Sequence, residues 1–375
     1  MSRLRPPPLC VALPRLVIIA AVISPLPACS SVRYYAQAVH GQGALIVHRR
    51  PIDKLLRDPH TDPRLATRLQ LALRARAFAS QQLGLPDNRS YTGYVQLDRP
   101  YMVWNVFAAP RYSVQAVPQC FPIAGCVAYR GWFSEAAAKG DAARLRAAGD
   151  DVWIGGVPAY STLGWFADPI LSSMLRWDDD ELASTIFHEL AHQLIYVKSD
   201  TAFNESFATF VQEQGLRDWR ASRGLPPQDD GQQAMDDGFT RLVLDLRERL
   251  KALYASGADA AAMAVGKQRE IAEFRVRYEH WRQQSWPGDH RYDAWVAQPI
   301  NNARLLPFGL YDQWTPAFAA LFQRAEHGWP AFYAEVRALA REPRAQRDRE
   351  LQALLAIGQG QASAAGAAAV AAGRH

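Results

Sequence analysis

The chain has 375 residues, 49% hydrophobic and 21% charged, a balance that supports a buried core and excludes an intrinsically disordered protein. Its formal net charge is +5, and Arg3, Arg5 and Arg15 supply three of those charges, so the rest carries only +2. No basic block or basic-aromatic ladder remains, which argues against nucleic acid as a partner.

In chain order, those arginines precede an apolar run, LVIIAAVISPL, from Leu16 to Leu26. The run is short for a membrane span. A basic head, a short apolar stretch and small residues before a cut make a secretory signal. LPAC, from Leu26 to Cys29, resembles the lipobox of bacterial lipoproteins, in which that Cys carries the lipid anchor. Ser30 follows, and in that pattern a Ser resembles sorting to the outer membrane. The alternative is an ordinary cleaved signal with an incidental Cys. Cys10 lies in the signal, which leaves Cys120 and Cys126 in PQCFPIAGCVAY. Pro and Gly between them allow a tight turn, and export permits a structural disulfide. Two free buried thiols are the alternative.

Residues 30–58 read as an extended or irregular lead with one helix over YYAQAVHGQGALIVH. Pro63 to Leu85 has helical spacing and a closing Gly. Ser90 to Pro110 alternates and is rich in aromatic and β-branched residues, predicting a hairpin. GCVAYRGWF reads as one strand, and SEAAAKGDAARLRAAGD as a helix capped by Ser134. Asp151 to Pro169 reads as a strand, a bend at Gly155-Gly156 and a second extended segment. Helices are expected at 178–197, 200–223, 229–256, 259–285, 300–326 and 329–356. The fold class is α+β, with a mixed N-terminal half and a mostly helical C-terminal half. The expected organisation is a lipoprotein signal peptide over 1–28, one catalytic domain over 29–357 with active-site helices within 178–223, and a low-complexity, disordered tail over 358–375.

The chemistry concentrates in FHELAHQLIYVKSDTAFNESFATF, Phe187 to Phe210. His188 and His192 are four apart, so on a helix both imidazoles reach one metal ion. Glu189 is turned aside from them and can act as general base. Asp178 and Glu181 form a capping-box start for that helix. If the two helices fold back as a hairpin, His192 and Glu205 are equidistant from its centre between Lys198 and Ser199. His188 and Thr209 share that centre. Glu205 then completes a three-ligand Zn²⁺ site with one open position, and Thr209 can hydrogen-bond the back of a ligand. The alternative for Glu205 is an exposed first-turn acid favoured by the helix dipole. An oxyanion donor is also needed. Tyr311 in NNARLLPFGLYDQW is the leading candidate, with His290 and Tyr292 in GDHRYDAW as others.

AYSTLGWFADP, HELAHQ, FNESFATF and NNARLLPFGLYDQW together resemble the predicted zinc aminopeptidases of Gram-negative bacteria, which are exported and often lipid-anchored. More distantly, His-Glu-x-x-His with a downstream Glu resembles the gluzincin superfamily. The resemblance runs over nearly the whole mature chain. It implies zinc on His188, His192 and Glu205, with Glu189 as base and a peptide as substrate. It also implies an edge strand that pairs with the substrate backbone, here Ala159 to Phe166, with Ala159, Tyr160, Ser161, Thr162, Leu163 and Gly164 as binding residues. A plain core strand is the alternative there. Two departures stand out. The gap from His192 to Glu205 is short, with Thr209 where relatives often have Asp. The Gly-x-Met-x-Asn segment that captures a free amine in well-known aminopeptidases is missing. The expected protein is a zinc metallopeptidase, anchored to the outer membrane through Cys29 and facing the periplasm. An envelope endopeptidase or amidase and a catalytically silent metal-binding scaffold stay open, though a silent site has no need of Glu189.

Overall fold

The computed structural model describes residues 28–356, except 122–124, 158, 160, 229 and 309–312. The side chains of residues 28–33, 230, 232 and 233 are likewise undescribed. The signal run Leu16–Leu26, the tail over 358–375, Tyr160, Tyr311 and the Cys29 side chain therefore lie outside the described residues.

The described residues begin with helix α1 (Ala28–His48) and continue through β1 (Arg50–Pro51), α2 (Ile52–Arg57) and α3 (Pro63–Gln81). The helix expected over Tyr34–His48 is present, and it extends back to Ala28 where an extended or irregular lead was expected. It rests on the strands that follow, so tertiary packing supplies what local propensity does not. Its Gln37 side chain accepts from Phe133 N at 2.9 Å, and Tyr34 meets Trp132 edge-on at 5.4 Å. Asp62 caps α3 by accepting from Leu65 N, with Pro63 in the first turn.

Strands β2 (Gly93–Val95) and β3 (Val103–Pro110) follow, and they are not the expected hairpin. β2 pairs with β1 and with β8 (Ile170–Leu171), while β3 pairs antiparallel with β6 (Tyr129–Trp132) and β7 (Asp150–Val157). The seven residues between carry the chain from one small sheet to the other. GCVAYRGWF is split into β5 (Gly125–Val127) and β6, with α4 (Glu135–Ala147) after them. Ser134 caps α4 as expected. β4 (Gln119–Phe121) pairs with β5, and the Cys120–Cys126 disulfide closes that hairpin. β7 runs straight through Gly155-Gly156, paired with Asn105 and Trp104. The rings of Tyr101 and Trp153 occupy the space that Cβ atoms there would need, so these glycines serve packing rather than a bend.

The remainder is helical: α5 (Asp179–Leu194), α6 (Thr201–Ser222), α7 (Asp230–Ala255), α8 (Ala260–Ser285), α9 (Asp293–Ala297), α10 (Asn302–Leu305), α11 (Thr315–Arg324), α12 (Trp329–Arg341) and α13 over 344–356. The single helices expected over 300–326 and 329–356 are each interrupted, the second at Pro343, which cannot continue a helix without losing a hydrogen bond. The mixed N-terminal half and helical C-terminal half are as expected.

Helix α6 is the centre of the main core. Phe203, Phe207 and Phe210 are buried on it and meet Phe318 of α11 and Phe332 of α12. α5 packs Phe187 against Phe78 of α3. A second core joins α7, α8 and α9, with Phe239 stacked on Tyr292 at 3.8 Å. Asp200 caps α6 by accepting from Phe203 N, and its other oxygen pairs with Arg347 of α13 at 2.5 Å. Both residues are buried. Arg347→Ala strands a buried carboxylate at a helix cap, and it should lower unfolding free energy by about 3–5 kcal/mol in urea titration. A loss under about 1 kcal/mol would show that this pair does not hold α6.

Candidate metal centre

Asp178 starts α5 by accepting from Glu181 N at 2.7 Å. On that helix His188 and His192 lie on one face, with ring centroids 4.8 Å apart. The chain then reverses at Lys198–Ser199, where Ser199 takes the left-handed conformation (φ 66°). Three residues in the reversal have separate tasks. Asn204 grips the backbone of Val197, accepting from its N–H at 2.7 Å and donating to its C=O at 2.8 Å. Ser206 accepts from Trp314 N at 3.1 Å and so ties α6 to the start of α11. Between them, Glu205 points to the histidines. From outside, the disulfide hairpin braces the turn, with Cys126 N donating to Ser199 Oγ at 3.1 Å. A Cβ on Gly125 would lie 2.3 Å from that oxygen, so the approach requires glycine.

Glu205 Oε2 lies 3.5 Å from His188 Nε2 and 3.6 Å from His192 Nε2, and the two Nε2 atoms are 3.2 Å apart. A tetrahedral ion with bonds of about 2.0–2.2 Å has ligand-to-ligand edges of about 3.3–3.6 Å. The three atoms therefore fit three corners of such a shell. His188 Nδ1 meets Gln212 Oε1 at 2.9 Å, which fixes Nε2 as the atom facing the site. His192 Nδ1 is buried without a partner among the described residues. His188, His192 and Glu205 are thus a group that can hold a metal ion. Glu205 is only 8% exposed, which removes the reading of it as an exposed first-turn acid.

The electrostatics follow from this packing. Burial alone would raise the Glu205 carboxyl, but attraction to His192 and hydrogen bonds from both histidines outweigh it and bring it to about 2. Burial would lower His192, and the Glu205 carboxylate reverses that, so its pKa is raised. Burial raises Glu189, partly opposed by His188 and His192. Beyond this group, Asp168 accepts from Thr162 N at 3.1 Å, from Thr162 Oγ1 at 2.8 Å and from Gln193 Nε2 at 3.2 Å. Burial pushes the Asp168 carboxyl up to about 6, against those Thr162 hydrogen bonds.

The triad opens on a cavity of about 820 Å³ that Glu189 and Tyr196 also line. Ala159, Ser161, Thr162 and Leu163 line it too, but this segment is not the expected edge strand. Leu163 and Gly164 have left-handed backbones, and Thr162 N donates to Asp168 rather than to a strand. Thr209 makes no hydrogen bond to either histidine; the longer Gln212 side chain, further along α6, takes the place expected for it. His290 pairs with Asp293, and the Tyr292 hydroxyl donates to Asp236, both away from this cavity. Reading the sequence alone missed Gln212, Asn204, Ser206 and Asp168. Only Asn204, next to the ligand at a helix start, carried a local signal, since Asn there favours hydrogen bonds to nearby backbone.

A family model described as "Putative aminopeptidase" matches residues 33–351. No curated protein and no solved structure matches the chain.

Protons compete with a metal for His192 Nε2, and that imidazole's pKa is raised in the metal-free protein. Zinc affinity should therefore be level well above the raised pKa and fall by at least about tenfold per pH unit below it, since each imidazole must shed its proton to bind. Glu205, at about 2, stays ionised throughout and adds no slope near neutrality. Chelator competition from pH 5 to 8 measures this, and a flat profile would reject the assignment. Gln212→Ala should weaken zinc binding about 10- to 100-fold in the same assay.

Proposed function

The chain belongs to the family described as "Putative aminopeptidase", and from that premise we propose that it is a zinc-dependent peptide hydrolase acting at the His188, His192 and Glu205 centre. The observation that carries this reading is the convergence of those three donors on the floor of a cleft that Glu189 also lines. Two imidazoles and one carboxylate suit zinc and leave a position open to substrate. When bound, the ion supplies Lewis acidity toward a water and a peptide carbonyl. The residues of the chain do the rest. Glu189 takes a proton from the attacking water and returns it to the leaving nitrogen as the C–N bond breaks. Gln212 holds His188 in the tautomer that frees Nε2. Tyr311 is our choice for the oxyanion donor.

A second reading, cleavage within a peptide rather than at its amino end, is favoured by one observation. Among the described residues lining the cleft, Glu189 and Glu205 are the only carboxylates. Both are committed to the chemistry, which leaves neither for a free α-ammonium group.

We also place the protein outside the cytoplasm, anchored through a lipid on Cys29 to the outer membrane and facing the periplasm. The basic head, apolar run and LPAC sequence support this. So does the Cys120–Cys126 disulfide, which suits an oxidising compartment. Among the described residues no helix is long and apolar enough to cross a membrane.

Glu189→Gln should retain a full complement of zinc and lose at least about 100-fold in kcat. Equal turnover would reject Glu189 as base, and equal turnover after zinc removal would reject the metal mechanism. A peptide library with free and acetylated amino termini separates the two modes. Cleavage restricted to free amines supports the aminopeptidase, and indifference to acetylation supports the endopeptidase.

A further inference from the structure

The exposed large hydrophobic residues of this protein are unevenly placed. On α1, Tyr35, Val39 and Ile46 are 41%, 73% and 52% exposed, and all three line the metal cleft. Trp165 and Phe166, from the segment that precedes β8, are 67% and 47% exposed and line it too. The spacing of Tyr35, Val39 and Ile46 puts them along one face of α1. The adjacent face is fixed to the protein through Tyr34, Gln37 and Leu45. The loop bearing Trp165 and Phe166 is tied to α5 through Thr162, Asp168 and Gln193. Both walls are therefore set before anything binds. No Lys, Arg or Asp is among the described residues that line the cleft, and its only acids are Glu189 and Glu205.

We propose that this cleft selects peptides whose side chains beside the scissile bond are apolar or aromatic, seated between the Tyr35, Val39 and Ile46 face and the Trp165–Phe166 rim. The proposal rests on the hydrolase reading for the identity of the occupant. The same cavity is lined by these apolar residues and by His188, His192 and Glu205, so whatever fills it meets the proposed reacting centre, and the family's description as an aminopeptidase points to a peptide. Selectivity has two sources. An apolar side chain gains by leaving water against these walls. A Lys, Arg, Asp or Glu side chain is desolvated there without a counter-charge from either wall.

The test uses the zinc-loaded Glu189→Gln protein and measures binding calorimetrically, which does not require turnover. Two acetylated hexapeptides are compared, differing only in the central pair, Phe-Leu in one and Lys-Asp in the other. The Phe-Leu peptide should bind about 10- to 100-fold more tightly. Adding Val39→Asp or Trp165→Ala should erase most of that difference while zinc content stays constant. Both sites are exposed, so either variant can be judged if the other fails to fold. Equal affinity for the two peptides, or selectivity untouched in both variants, overturns the proposal. A dimer split by Val39→Asp, or phosphatidylcholine vesicle binding lost with it, with peptide affinity unchanged, assigns the face to a second copy or a bilayer and also overturns it. Hydrolysis by the protein with Glu189 intact is scored separately. If neither peptide is cleaved but the selective binding persists, the hydrolase reading fails and the apolar peptide site stands.

Discussion

The Asn204 side chain closes on both backbone groups of Val197, and through that clasp it fixes where α6 begins relative to α5. The ligand triangle depends on this one alignment. A slip of one residue along α6 would turn Glu205 by about 100° away from the histidines. The clasp is reinforced from three sides. Ser199 turns the chain with a left-handed backbone, the disulfide hairpin presses on Ser199, and Arg347 secures the Asp200 cap. None of these residues is one of the three candidate donors, yet each restricts where a donor atom can lie.

Much of this was legible before the structure. His-Glu-x-x-His specifies its own geometry because its register is internal to one helix. The placing of Glu205 needed only a count about Lys198 and Ser199. What the count could not supply was side-chain reach. It pointed to Thr209 behind His188, whereas the structure puts Gln212 there, since a longer side chain spans the gap between helices. The β region was harder. Alternation identified strand-forming segments in Ser90–Pro110, but pairing partners lie far along the chain, and β2 and β3 belong to different sheets. The two glycines of β7 looked like a bend because glycine is permissive. Neighbouring rings, which no local pattern reveals, explain them instead.

The cleft joins parts with different physical duties. The α5–α6 hairpin gathers charge and pays for it with mutual neutralisation, as the low Glu205 pKa and the raised His192 pKa record. The walls are apolar and keep counter-charges away. Such a surround strengthens each electrostatic contact among His188, His192, Glu189 and Glu205 relative to water. Asp168 sits apart from the triad, holding the rim loop to α5 through hydrogen bonds rather than through charge on the cleft surface.

All three ligands fall between His188 and Glu205, in a single pair of consecutive helices. Joining them closes short loops, and short loops sacrifice little chain entropy. Their contacts are also local in sequence, the kind that form early when a chain folds. An ion can therefore find partial chelation on this segment even when the rest of the protein is disordered. Binding to the unfolded chain subtracts from what binding gives the folded one. Such a centre is suited to capturing a metal ion during folding, and a bound ion there would contribute less to global stability than one held by ligands from distant segments.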